Sequence, residues 1–118
     1  MIRTALIGVA LLGLASTASA RELGGSYRAN GTNFDGSPYS GAATIEITSD
    51  TTCAITWTTG STSSNGFCMR NQDAFAAGYV MGDSIGLVIY KMMPDGSLNG
   101  IWTIAGKNGA GTEVLTPQ

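Results

Sequence analysis

The sequence contains no histidine. That removes the commonest general base and the commonest metal ligand. Ser/His and Cys/His nucleophile pairs are therefore excluded within one chain. Charge is also scarce, at 12% of residues, and no run of like charge occurs. Nucleic acid and anionic lipid both require a basic patch, which this chain does not supply. The glycine-rich stretches are not followed by a lysine and a helix, so they are not phosphate loops. Asp35, Asp50, Asp73, Asp83 and Asp95 all fall in expected turns, where aspartate serves the backbone. No catalytic residue, cofactor or metal site is expected, and the chain reads as non-enzymatic.

There is no long apolar run either. Ala5 to Ala15 is the most apolar segment and is too short to span a bilayer. Arg3 precedes it, and Ala18-Ser19-Ala20 follows as an A-x-A cleavage pattern. Residues 1–20 therefore read as a signal peptide and residues 21–118 as a single domain. Losing Arg3 leaves five basic against eight acidic residues, a net charge of −3. The expected destination is the periplasm or the extracellular space, with no membrane attachment after cleavage. In such an oxidising compartment the only two cysteines, Cys53 and Cys68, are expected to pair.

Helical periodicity is missing throughout. What is present is a series of short alternating segments separated by turn residues, the pattern of a small all-β domain. Cys53 to Cys68 organises the series. Cys53, Ile55 and Trp57 share one face of an arm, and Gly, Ser and Thr make the tip. A four-residue loop, Thr59 to Thr62, places the cysteines opposite each other, with Cα atoms about 4.5 Å apart. Further strands are expected at 24–30, 39–48, 74–80, 85–92, 97–105 and 112–116.

The strand 85–92 is apolar on both faces, so its second face is expected to be covered or to meet something. Two segments echo each other: Asp35-Gly36-Ser37 and Asp95-Gly96-Ser97 each precede a further glycine and an alternating strand. Glycines inside strands, such as Gly66, Gly78 and Gly86, point to a strongly curved sheet. The expected fold is an antiparallel up-and-down β-barrel of about eight strands. Its last strand should pair with its first, with Glu113 near Arg28 or Arg70 at that seam.

The aromatics are the remaining candidates for function. Trp57 and Trp102 sit mid-strand, either as core or as a stacking floor in a barrel mouth. Tyr39 follows a turn and is expected at a rim. Arg70 lies within a strand, to pair with an acid or to meet an anionic ligand. Tyr39, Trp57, Arg70 and Trp102 are thus the candidate binding residues.

The chain resembles a family of small exported bacterial proteins, mostly uncharacterised. The matching residues are Tyr27, Gly31 and Asn33; Asp35 to Ser37 with Tyr39 and Gly41; Ile55 and Trp57; Asp95 to Thr103; and Gly111 to Glu113. Some members are labelled fibronectin-binding. The resemblance implies an adhesive or surface role with an extracellular-matrix partner; the protein-binding class also includes an inhibitor with an enzyme target. In outline the family is also similar to avidin- and lipocalin-like barrels. The alternative function is therefore a small-ligand carrier that uses the barrel interior. Two tryptophans and many Ile, Leu and Met are expected to fill a narrow barrel, leaving less than the roughly 300 Å³ a ligand needs. That expectation places protein binding first.

Overall fold

Alternation with a period of two gives eight strands, each turning one set of side chains inward. The computed structural model describes residues 23–118. The leader expected over 1–20 lies outside the described residues. The strands are β1 (Gly25–Thr32), β2 (Pro38–Ile47), β3 (Thr52–Thr59), β4 (Thr62–Asn71), β5 (Ala74–Met81), β6 (Ser84–Met92), β7 (Leu98–Ile104) and β8 (Gly111–Pro117). They pair in sequence order, all antiparallel, and β1 pairs with β8, so the sheet closes into a barrel. An even number of strands makes this closure antiparallel, as expected for a meander, and it leaves no free edge.

The cysteine hairpin sets the register of β3 and β4. Cys53 lies opposite Cys68 and the two form a disulfide, with Cα atoms 5.0 Å apart. The bridge points into the barrel, where both residues are buried. The tip differs from the expected four-residue loop. Thr59 and Thr62 still pair, leaving Gly60 and Ser61 as a two-residue turn. Gly60 has φ +63°, the left-handed conformation that the first central residue of a type II′ turn requires. A two-residue turn of this hand matches the twist of the strands, so a longer loop is not needed.

The Asp-Gly-Ser echo is one turn used twice. Asp35 accepts from the Ser37 backbone N–H at 2.9 Å and from its hydroxyl at 2.6 Å. Asp95 accepts from Ser97 in the same way, at 2.9 and 2.7 Å. Hydrogen bonds from the Ser37 hydroxyl, then from its backbone, hold the Asp35 carboxyl below the usual carboxylate range. The two turns sit at opposite ends of the barrel, joining β1 to β2 and β6 to β7.

The core fills one end. Ile45, Ile55, Phe75, Leu98 and Leu115 converge there with the disulfide, and Tyr27 donates to the Leu23 carbonyl beyond them. The outside is divided. Arg28, Thr44, Glu46, Thr56 and Thr58 are exposed on β1 to β3. On β4 to β7 the large apolar side chains Phe67, Met69, Val80, Ile85, Leu87, Ile89 and Ile101 are exposed. The second apolar face of β6 is therefore uncovered, where the sequence suggested a cover or a contact.

Candidate ligand-binding site

The other end of the barrel is not filled. It is ringed by the β1–β2, β3–β4, β5–β6 and β7–β8 connections. Within it lies a cavity of about 350 Å³ lined by Asn33, Tyr39, Trp57, Thr59, Thr62, Ser64, Tyr79, Met81, Val88, Tyr90, Trp102 and Glu113. This corrects the expectation of a filled interior. At the mouth β3 and β4 turn Thr59, Thr62 and Ser64 toward the centre, above Trp57, and these three are too small to reach across.

Tyr39, Tyr79, Tyr90 and Trp102 lie against the wall, each ring over a glycine of a neighbouring strand, while Trp57 reaches across to Glu113. A Cβ added at Gly31 would fall 2.5 Å from the Tyr39 ring, at Gly86 2.2 Å from Tyr79, at Gly100 2.5 Å from Tyr90 and at Gly111 2.4 Å from Trp102. The strand glycines thus make beds for rings, as well as curving the sheet. Gly100→Ala is expected to lose about 1–3 kcal/mol by forcing the Tyr90 ring off its position. Gly78→Ala is the control, since its Cβ would meet only Leu87 at 3.8 Å. Chemical denaturation of the two variants checks the difference; equal midpoints would show that the ring beds carry no strain.

At the floor stands Glu113, buried at 5% exposure. On β8 it is in phase with Gly111 and Leu115, which also face inward. Its neighbours across the pairing are Gly31 on β1 and Gly100 on β7. Three donors converge on the carboxylate. The Tyr39 hydroxyl donates to Oε1 at 2.8 Å, the Trp57 Nε1–H donates to Oε2 at 2.9 Å, and the Tyr90 hydroxyl also donates to Oε2. Trp57 packs against Tyr79 with ring centroids 5.2 Å apart, and Phe75 stacks on Tyr90 at 5.5 Å. At the rim Phe34 stacks on Trp102 at 4.9 Å, and Trp102 Nε1–H donates to the Thr112 carbonyl at 3.2 Å.

Glu113 is not near Arg28 or Arg70, contrary to the expectation at the seam. Arg28 lies between the inward residues Tyr27 and Ala29, so the strand period turns it outward. Arg70 Nε donates to the Gln72 carbonyl at 2.8 Å, at the end of the barrel opposite the cavity. Of the four candidate binding residues, the cavity brings together Tyr39, Trp57 and Trp102 and leaves Arg70 apart. Glu113, Tyr79, Tyr90 and Ser64 were missed as site residues. The phase of Glu113 with Gly111 and Leu115 was the available signal.

Burial, then the charge of Glu113, pushes the Tyr79 hydroxyl up to about 12. The same two causes, followed by direct hydrogen bonds to Glu113, hold Tyr39 and Tyr90 well above the ordinary tyrosine value. Burial raises Tyr27 as well. These are all four tyrosines of the chain. Because the folded values are raised, the unfolded chain gives up its phenolic protons first, near pH ~10. The contribution to stability is full below that value and is lost as pH rises through about 12 for Tyr79. In an alkaline titration, phenolate absorbance is expected to appear together with loss of the β-sheet circular dichroism signal. Phenolate formation by a still-folded protein near pH ~10 would contradict the burial of these hydroxyls.

No family model matches the chain, and no curated protein matches it. Solved structures do match. The chain is similar to a redesigned β-barrel, b11L5F_LGL, at 19% identity and a TM-score of 0.70, over 81% of this chain and 91% of that one. It is also similar to a redesigned β-barrel, mFAP1, bound to DFHBI, at 19% identity and a TM-score of 0.67, over 80% and 94%. A third, EF1p2_mFAP2b bound to DFHBI, is 16% identical with a TM-score of 0.67, over 81% and 94%. At these identities the likeness establishes the fold, and the fold is a closed antiparallel β-barrel.

Proposed function

We propose that this protein is an exported, non-enzymatic barrel that holds a small organic ligand in its open end. The carrying observation is the cavity of about 350 Å³, with aromatic walls and a hydrogen-bonded carboxylate at its floor. That volume lies within the roughly 300–1,000 Å³ of small-molecule sites, which are mostly apolar with a few placed polar groups. Two of the similar barrels hold DFHBI, which supports the use of such a lumen for a small molecule. The disulfide is compatible with an oxidising compartment and so with export. A filled interior was the ground for ranking a matrix-protein or enzyme partner ahead of a small ligand, and the cavity removes that ground.

The test is a fragment screen on the purified protein, read by ligand-observed NMR and by tryptophan fluorescence. Trp57 and Trp102 both line the cavity, so binding there is expected to change emission. Ser64→Phe, which places a ring in the lumen, is expected to abolish the hits. A screen without a saturable binder, or with binders indifferent to Ser64→Phe, would sink the proposal.

A further inference from the structure

We infer that the ligand of this cavity carries a positive charge, as an organic cation with a planar or compact apolar body. The inference rests on the barrel-mouth reading above and adds the class of ligand to it. An ionised carboxylate offers about four acceptor positions. Among the described residues three donors reach Glu113, two on Oε2 and one on Oε1. One position on Oε1 is therefore unused, on a side chain that lines the cavity. All three donors are uncharged, so the hydrogen bonds leave the negative charge itself unbalanced.

No lysine or arginine among the described residues lines the cavity. The described basic residues, Arg28, Arg70, Lys91 and Lys107, are all exposed outside it. The walls present the remaining half of a cation site. Tyr and Trp rings attract a cation over their faces, most strongly when water is excluded. Trp57, Tyr79, Tyr90 and Trp102 supply such rings around the acid. An anionic ligand would meet the carboxylate with nothing to offset it. A neutral ligand would leave the charge as it is. A metal ion is disfavoured because no group of three His, Cys, Asp or Glu comes together among the described residues.

The experiment uses three naphthalene probes of one shape: the 2-amidinium, the 2-carboxamide and the 2-carboxylate. Each is titrated into the purified protein by calorimetry and tryptophan fluorescence. The amidinium is expected to bind at least roughly tenfold more tightly than the amide, with the carboxylate weakest. Glu113→Gln, which keeps the size and one acceptor, is expected to bring the amidinium down to the level of the amide. The parent series decides the matter even if Glu113→Gln does not fold. Equal binding of amidinium and amide, or a preference for the carboxylate, overturns the cation inference and leaves the barrel-mouth reading standing. Binding by none of the three overturns both. A preference retained in a folded Glu113→Gln also overturns the inference.

Discussion

Glu113→Leu is expected to destabilise the protein by roughly 2–6 kcal/mol. The substitution leaves the Tyr90 hydroxyl and the Trp57 Nε1–H deep in the barrel without their acceptor. A buried donor left unpaired costs about 1–3 kcal/mol, and two are affected. The Tyr39 donor lies at the half-buried rim, where water can replace the lost oxygen, so it adds little. Against the ~5–15 kcal/mol that holds a typical domain, this is a large fraction. Urea denaturation gives the loss directly. Removing one orphaned donor in the same background, with Glu113→Leu and Tyr90→Phe together, is expected to recover part of it. A single variant as stable as the parent would show that the carboxylate is not the hub of these hydrogen bonds. The same measurement separates structure from function, because Glu113→Gln should lose less than half as much while still losing the charge.

Replacing Cys53 and Cys68 together by alanine is expected to lower the melting temperature by about 10–20 °C. The bridge closes a loop between residues 15 apart, worth roughly 3 kcal/mol in chain entropy. For a domain of this size that amount converts to a shift of this order. Both sulfurs are buried inside the barrel, so the variant also leaves a void beside Ile55 and Phe75. The bridge sits in the filled half of the barrel, away from the cavity lining. Ligand binding well below the new melting point is therefore expected to persist. The cysteines are far from the Cys-x-x-Cys spacing that tunes a reactive thiol, and both are in the bridge. Differential scanning calorimetry checks the shift. A double variant that melts with the parent, or a native protein that titrates with a thiol reagent, would end the structural reading of the bridge.

The sequence by itself determined the strands, their antiparallel order, the turn positions and the pairing of Cys53 with Cys68. The reason is that these features are local. Period-two alternation and Gly or Asp-Gly-Ser turns act over a few residues, and hairpin neighbours are neighbours in the chain. Closure followed from the count of strands. The site was decided only by the tertiary structure. Glu113 lies 74 residues from Tyr39, 56 from Trp57 and 23 from Tyr90, and these groups meet only across the closed lumen. A glutamate between threonine and valine near a chain end reads as a surface acid until the phase of β8 is known. The cavity was equally hidden. Its volume depends on whether Tyr39, Tyr79, Tyr90 and Trp102 cross the lumen or lie on Gly31, Gly86, Gly100 and Gly111. Those contacts join different strands, and no pattern within one strand specifies which ring lies on which glycine.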